Sequence, residues 1–348
     1  MLNDWLTDLP AAIWQKIAAI DEQKGRWHGG AKLNPQVLGR LKQSVLVTST
    51  GASTRIEGAR MSDREVEKLM KGLTVQPFSD RDKQEVRGYF ELLKNVFESW
   101  PDLHFSENLI KHFHQELLKY VDKDRTHRGE YKKQENQVVA VDREGRITGV
   151  LFETTPVWLT PKEMQELVDW TKSGLEKSHY HPLLVIGVFV IGFLKIHPFV
   201  DGNGRLSRIL TNLLMLQAGY GYMTYVSHEK LVEEHKTAYY LALRQSQKTF
   251  AGKNPTIVSW LEFFLEILLV QAKAAVNLLS GENLERLLSP LQLKVWQYFQ
   301  QFKEAAPKEL AEKLQIARPT VNQVLTRLLA LKKIERLGQG RSSRYKLV

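Results

Sequence analysis

His197, Asp201, Arg205 and Arg208 fall within twelve residues, His-Pro-Phe-Val-Asp-Gly-Asn-Gly-Arg-Leu-Ser-Arg from 197 to 208. A histidine can take a proton near neutral pH, a carboxylate can hold a divalent cation, and a glycine loop with arginines can receive phosphate. Together they suit chemistry on a phosphate ester. An apolar run from Pro182 to Leu194 precedes the stretch and a leucine-rich periodic segment to Gln217 follows it, which predicts a helix, a tight loop and a second helix. On that second helix Arg205 and Arg208 are three apart and lean toward its N-terminus. Gly202, Asn203 and Gly204 can turn backbone N–H groups inward there, where the helix dipole adds positive potential. Asp201 is unfavourable beside such an anion site unless a divalent cation bridges it to the phosphates, which assigns it to Mg2+. His197, across the loop, is placed to take a proton from an attacking hydroxyl. Taken singly, each of these residues also has a plain structural reading. A histidine before proline caps or fills a core, Gly-Asn-Gly is a common turn, and arginine pairs on helices are usually solvated.

The elements that must position this loop are mostly helical. Residues 11 to 47 carry helical spacing in two pieces, Ala11 to Gln23 and Pro35 to Val47, separated by Gly29-Gly30. The polar cluster Thr48-Ser49-Thr50-Gly51-Ala52-Ser53 reads as the cap of a new helix beginning near Ser53 and holding Ile56, Glu57 and Gly58. On spacing alone Glu57 is a solvated surface residue. Gln84 to Trp100 and Ser106 to Tyr120 are core-building helices without evident chemistry. Gln137 to Val141, Asp142 to Gly145 and Arg146 to Leu151 read as strand, turn and strand, with Gly145 supplying a positive φ. One short hairpin cannot build a sheet core. It either pairs its edge with a ligand or peptide or lies as a flap on the core. Helices resume with Pro161 to Ser173, His181 to Leu194, Gly204 to Gln217, His228 to Lys248 and Thr256 to Leu279, and Leu279 to Asn283 reads as a linker or helix break.

A chain of 348 residues has room for two or three domains. The absence of cysteine excludes disulfides, thiolate zinc sites and cysteine nucleophiles. The start, MLNDWLTDLP, has no basic and then apolar leader, and the longest apolar run is too short to span a bilayer, so a cytoplasmic protein without a membrane segment is expected. The formal charge of +10 is uneven: residues 284 to 348 hold thirteen Lys/Arg against five Asp/Glu, so an anionic partner belongs first to the C-terminus. There the segments around Leu291 to Phe299, Pro307 to Leu314 and Arg318 to Leu328 read as helices, followed by a hairpin from Ile334 to Leu337 and Ser343 to Leu347. Three helices and a β wing resemble the winged helix-turn-helix fold. Arg318, Thr320, Asn322, Gln323 and Arg327 on the third helix, with Arg341, Arg344 and Lys346 on the wing, are the candidate DNA contacts. The alternative for this module is protein contact or dimerisation.

His-Pro-Phe-x-Asp-Gly-Asn-Gly-Arg-x-x-Arg resembles the signature of the Fic (filamentation induced by cAMP) domain family at all nine specified positions, a coincidence on the order of 10⁻⁹ by chance. The resemblance runs from about Arg60 to Leu279, with the Glu57 segment in addition. It implies an all-α class: a mainly helical Fic fold with one β-hairpin flap, plus the C-terminal winged-helix domain. The domains would be 1–59 with the inhibitory helix, 60–280 catalytic, and 284–348 winged helix. The implied activity is AMP transfer from ATP to a Tyr, Thr or Ser hydroxyl of a protein. His197 would be the general base and Asp201 the ligand of Mg2+ or Mn2+. Gly202, Asn203 and Gly204, with Leu206 and Ser207, would form the nucleotide loop, Arg205 would take the β-phosphate and Arg208 the γ-phosphate. Val138, Val139, Ala140 and Val141 would be the flap strand that aligns the target and touches the nucleotide. Tyr239-Tyr240 would line the adenine pocket, and Gln247 stands where relatives carry Asn.

Ser53-Thr54-Arg55-Ile56-Glu57-Gly58 likewise resembles the family's inhibitory motif, in which Glu57, in a bidentate pair with Arg208, would deny that arginine to the γ-phosphate. In some relatives the same glutamate positions a water that removes AMP. The partners so implied are ATP, a protein bearing the hydroxyl (the chain itself included), DNA through the C-terminal module, and a second copy in a homodimer. Gly202 and Gly204, both intact, argue against phosphate or phosphocholine transfer. The competing class is a DNA-binding transcriptional regulator whose Fic site serves as a nucleotide sensor.

Overall fold

The computed structural model describes residues 2–30, 35–72, 81–141, 147–177, 179–250, 252, 254–287, 289–330, 333–338 and 343–348. The chain divides into two compact units, Met1–Val276 and Asn277–Val348. The first unit begins with α1 (Ala11–Gly30), α2 (Pro35–Ile56), α3 (Asp63–Lys71), α4 (Arg81–Ser99) and α5 (Glu107–Leu118). An antiparallel hairpin of β1 (Gln137–Val141) and β2 (Ile147–Glu153) follows, then α6 (Thr160–Lys177), α7 (Pro182–Ile196), α8 (Asn203–Gln217), α9 (His228–Glu234), α10 (Lys236–Gln247) and the start of α11 (Val258–Leu287), whose residues from Asn277 on belong to the second unit.

The centre is α7, whose residues from Leu183 to Ile196 are all buried apart from Lys195. It has no polar stripe, so its neighbours must cover it on every side. It packs against α6 and α8, and α8 packs in turn on α4 and α5. Each Leu, Ile or Phe removed from water there contributes about 1.5–3 kcal/mol. His181 caps α7 through Leu183 N–H, and Pro182 occupies the first turn, where its missing N–H costs nothing. Ser106 caps α5 through Leu109 N–H at 3.2 Å. The hairpin pairs Gln137 with Glu153 and Val138 with Phe152, and its register shifts between Val138 and Val139 and again between Ala140 and Val141. The turn expected at 142–145 lies outside the described residues.

Several boundaries differ from the expectation. The Thr48–Ser53 cluster starts no helix, because α2 runs through it to Ile56. Its hydroxyls are satisfied inside the helix and against α9: Thr50 Oγ1 donates to Leu46 O at 2.7 Å, Thr54 Oγ1 to Thr50 O at 2.9 Å, and Ser49 Oγ to Ser227 Oγ at 2.8 Å. Glu57 and Gly58 stand in the turn beyond the helix, with Gly58 at φ +105°. Gly29-Gly30 does not break α1, which contains both. The segment from His228 to Lys248 is two helices, because His235 leaves helical geometry at φ −112°, ψ 27°. Leu279–Asn283 is helical, part of α11.

The second unit contains α12 (Pro290–Phe302), β3 (Glu304–Ala305), α13 (Pro307–Leu314), α14 (Arg318–Ala330), β4 (Ile334–Leu337) and β5 (Arg344–Leu347). Ser289 and Gln292 close a capping box on α12. The strand order is β3-β5-β4, all antiparallel, and β3, which sequence pattern had not suggested, pairs Glu304 with Lys346. Val295, Phe299, Leu310, Val321, Leu325 and Leu328 form its core.

Candidate active site

The loop between α7 and α8 turns because two residues take the left-handed conformation, His197 at φ 50° and Gly202 at φ 80°. The side chain of Asn203 ties the loop across itself, accepting from Phe199 N–H at 3.0 Å and donating to Phe199 O at 2.8 Å. Phe199 stacks on His114 of α5 with ring centroids 3.9 Å apart. His114 Nδ1 accepts from Gly129 N–H at 2.8 Å, so its Nε2–H donates to Asp201 O at 3.0 Å. Burial pulls His114 down to about 4, which keeps this neutral tautomer in place.

His197 Nδ1–H donates to Leu194 O at 3.3 Å, which puts the basic lone pair of the neutral ring on Nε2. Burial lowers its pKa to about 4 against the pull of that carbonyl, and the nearby Lys132 charge acts in the same direction as burial. His197 is therefore an imidazole, not an imidazolium, through the neutral range.

The N–H groups of the first turn of α8 precede its first intrahelical bond, Leu206 N–H to Gly202 O at 2.8 Å, and so point out of the helix end as an anion site. A carboxylate already stands there. A Cβ added to Gly204 would meet Glu57 Oε1 at 2.1 Å, so glycine is what lets that oxygen lie against the helix backbone. Arg208 Nη2 donates to Glu57 Oε1 at 2.8 Å and to Ser53 O at 3.0 Å, while its Nε donates to Ser53 Oγ at 2.8 Å. The expected bidentate Glu57 pair is thus a single bond: Ser53, at the last turn of α2, takes Nε and shares Nη2, and the buried Nη1 has no hydrogen-bond partner among the described residues. Behind Arg208 lies the fully buried Glu229, which accepts from Tyr89 OH at 3.0 Å and Asn212 Nδ2 at 2.6 Å.

Arg205 is engaged differently from the expectation. Its guanidinium, 2% exposed, lies 2.7 Å from Glu85 Oε2 of α4 and 3.1 Å from Asp201 Oδ2. It orients Asp201. Leu206 contributes neither its N–H, bonded to Gly202, nor its side chain, which is in the core. Ser207 Oγ donates to Gly204 O at 2.7 Å and stabilises the turn.

Asp201 accepts from Gly202 N–H at 2.6 Å and from Arg81 Nη2 at 2.7 Å. Burial pushes its pKa up, but Arg205, the Gly202 N–H and Arg81 more than offset that, so the carboxyl is held below its ordinary range. Among the described residues no group of three or more His, Cys, Asp or Glu is arranged to hold a metal. A lone ionised carboxylate beside a phosphate site is nevertheless the donor set Mg2+ takes, since that ion keeps waters and phosphate oxygens as its other ligands. The fit requires Arg81 to leave Asp201 Oδ2.

Tyr239 and Tyr240 are in contact at 5.1 Å, but only Tyr240 can offer a face to a ligand. Tyr239 is 4% exposed and packed against Trp260 and Phe263. Gln247, at the end of α10, is also buried, and its side-chain Oε1 and Nε2 have no hydrogen-bond partner. Val138, Val139, Ala140 and Val141 form the backbone of β1. In the second unit Arg318, Asn322, Gln323 and Arg327 are exposed on α14 and Thr320 is half-buried. Arg344 is held by ion pairs with Glu304 and Glu309, and Arg341 lies outside the described residues. Sequence reasoning missed Arg81, Glu85, His114 and Glu229. Glu85 and His114 lie on helices read as core, Arg81 lies three residues before the expected start of its helix at Gln84, and none belongs to a local motif.

A neutral, half-buried histidine, a helix N-terminus and one ionised carboxylate thus meet at the loop between two central helices of a helical domain. Residues 104–215 match the model of the Fic/DOC family, and the chain carries a Fic domain. The fold agrees: a Fic family protein from Desulfovibrio desulfuricans superposes with a TM-score of 0.62 at 24% identity, over 98% of this chain and 97% of that one. A Fic domain containing signaling protein from Bacteroides thetaiotaomicron gives 0.62 at 23% identity, over 76% of this chain and 98% of that one. By sequence, the protein adenylyltransferase Fic of Drosophila willistoni is 44% identical over 57 residues. That stretch is 16% of this chain and covers only 11% of the Drosophila protein. No helix among the described residues is long and apolar enough to cross a membrane.

Proposed function

We propose that the protein is an adenylyltransferase that moves AMP from ATP to a Tyr, Thr or Ser hydroxyl of a protein, and that Glu57 holds it inactive. The observation that carries this reading is the Glu57 carboxylate against Gly204 and on Arg208, an anion in the place where a terminal phosphate would bind. With Glu57 displaced, Arg208 and the first-turn N–H groups of α8 hold the phosphates. His197 Nε2 takes the proton of the incoming hydroxyl as its oxygen bonds to the α-phosphorus, and pyrophosphate leaves with the electrons of the broken P–O bond. Positioning and charge neutralisation do most of the work in such an in-line displacement. Mg2+ or Mn2+ at Asp201 supplies further neutralisation of phosphate charge when bound. The half-buried Tyr240 face and the unpartnered amide of Gln247 suit an adenine ring and its polar edge.

The test is label transfer from ATP to the protein itself. Glu57→Gly removes a charge-assisted contact of about 1.5–3 kcal/mol, so incorporation of α-phosphate label rises roughly ten- to hundredfold over wild type. Label from the γ-phosphate is not incorporated, and adding His197→Ala returns the signal to background. Incorporation from γ-labelled ATP, or equal signals in wild type and Glu57→Gly, overturns the reading.

A second reading concerns the C-terminal unit, whose helix order and antiparallel β3-β5-β4 sheet support a winged helix. The exposed polar face of α14 and the excess of basic residues favour DNA over protein as its partner. Binding to DNA fragments then weakens steeply as salt rises, because counterions are released. If DNA binding is retained while no variant transfers AMP, the chain is a DNA-binding regulator and its Fic site a nucleotide sensor.

A further inference from the structure

The end of α7 leaves a run of backbone carbonyls without intrahelical partners, and in this protein five in succession are taken by the two feet of the hairpin. Lys195 O accepts from Thr155 N–H at 3.3 Å and Pro198 O from Lys132 N–H at 2.8 Å. Ile196 O accepts from Lys132 Nζ at 3.2 Å. His197 O and Phe199 O both face Asn136 Nδ2, at 3.4 and 3.0 Å. Asn136 immediately precedes β1, and Thr154 immediately follows β2.

Lys132 joins these groups. Its side chain is 3% exposed, and its ammonium has three protons and three acceptors: Asn136 Oδ1 at 2.8 Å, Thr154 Oγ1 at 2.8 Å and Ile196 O at 3.2 Å. Thr154 Oγ1, receiving from Lys132, donates on to Asn136 O at 2.7 Å, which closes the hairpin's base. Among the described residues no carboxylate is bonded to Lys132. Burial lowers its pKa to about 8 even though Glu135 and Glu163 pull the other way. An apolar side chain would fill this volume without that cost, but would leave three polar groups unsatisfied at the root of His197.

We infer that Lys132, with Asn136 and Thr154, is a positioning cluster: it fixes the hairpin to the 195–199 backbone and so sets where β1 holds a substrate segment relative to His197. This rests on the transferase reading above, in which β1 aligns the hydroxyl with the α-phosphorus. The substrate class it implies is an extended segment of a protein, which a strand edge can pair and hold in register. Lys132 touches neither nucleotide nor hydroxyl. It acts through the left-handed His197 and the hairpin base, so a fault there misplaces the attacking oxygen and leaves nucleotide binding intact.

The experiment uses the full chain carrying Glu57→Gly, with Lys132→Met and Lys132→Arg added separately. Three quantities are read: ATP affinity, the single-turnover rate of self-labelling at saturating ATP, and backbone hydrogen exchange over 137–141, 147–153 and 194–200. Lys132→Met is expected to lower the rate on the order of 10²-fold, the cost of about an ångström of misplacement, while ATP affinity changes less than about twofold. Exchange in those three segments accelerates, and Lys132→Arg, which can reach the same acceptors, restores both rate and protection. If Lys132→Met does not fold, Thr154→Val, which keeps the shape and removes one acceptor, decides the question with the same pattern at severalfold amplitude. Unchanged rate and exchange in the folded variants, or loss of ATP affinity in step with rate, overturns the inference. If Glu57→Gly itself transfers no AMP, the transferase reading fails, and exchange alone then judges whether Lys132 holds the hairpin to the loop.

Discussion

Arg205 and Arg208 stand on successive turns of α8 and are buried to the same degree, 2% and 3% exposed, yet their charges are balanced in opposite ways. Arg205 is answered by Glu85, a carboxylate 11% exposed, and by Asp201 of its own loop. Arg208 is answered by Glu57, which is 32% exposed and stands beyond the end of a helix. A buried carboxylate on a packed helix cannot be exchanged without unfolding, whereas a carboxylate in a surface turn can yield to a stronger anion. The same residue type three positions apart therefore has a partner fixed in the framework in one case and a partner in an exposed turn in the other, which on the adenylyltransferase reading proposed above makes Arg208 the exchangeable phosphate site.

The largest effect that tests this contrast is on stability. Arg205→Met removes the buried cation that Glu85 and Asp201 share and leaves only the more exposed Arg81 to answer both, and breaking one partner of a buried pair costs about 3–5 kcal/mol. Chemical denaturation should show that loss, and Glu57→Gly should lose less, about 1.5–3 kcal/mol for its single contact with Arg208. A smaller loss in Arg205→Met than in Glu57→Gly would reverse the roles assigned to the two arginines.

Next in size is the protonation of His197, which lies between the two sides. Its folded pKa, about 4, is below the ordinary 6.5, so between those values the unfolded chain takes up a proton that the folded chain does not. The sign follows: relative to His197→Gln, stability falls as pH drops from 6.5 to 4, by about 3 kcal/mol over the whole window. In the Glu57→Gly protein the transfer rate should hold its value down to about pH 5, and the His197 ring resonances should not titrate above that. An inflection near 6.5 in either measurement would mean that the ring is solvated.

How much of this could be read from the chain depended on whether the determinants were local. The 197–208 stretch holds its base, its carboxylate, its turn glycines and its arginines in consecutive residues, and the periodicity of α7 and α8 follows from their own sequences, so both were legible. Glu57 was legible by resemblance to a motif, but not by its helix, because hydroxyls that cap a helix in one setting bond to carbonyls four residues back in another. That ambiguity hid the continuity of α2 through Thr50 and Thr54. The partner of Arg205 was illegible for a different reason: Glu85 is 120 positions away in sequence, and nothing in α4 distinguishes a carboxylate facing an arginine from one facing water. His114 and Glu229 were missed on the same ground. The five carbonyls at the end of α7 illustrate the point best, since their donors lie at 132, 136 and 155 and only the folded chain brings them together.

The smallest effect bears on how Arg208 is shared between Ser53 and Glu57. Ser53 Oγ accepts from Arg208 Nε, but Ser53 O and Glu57 still hold Nη2, so Ser53→Ala removes only part of the restraint. A contribution of about 1 kcal/mol corresponds to roughly a fivefold rise in basal self-labelling, well short of Glu57→Gly. In the Glu57→Gly background the same substitution should do little to inhibition and instead leave Arg208 less well oriented for phosphate, which weakens ATP binding. A Ser53→Ala gain as large as that of Glu57→Gly would place the inhibitory restraint in the α2 turn itself, with the carboxylate secondary. An effect confined to ATP affinity in both backgrounds would make Ser53 part of the phosphate site alone.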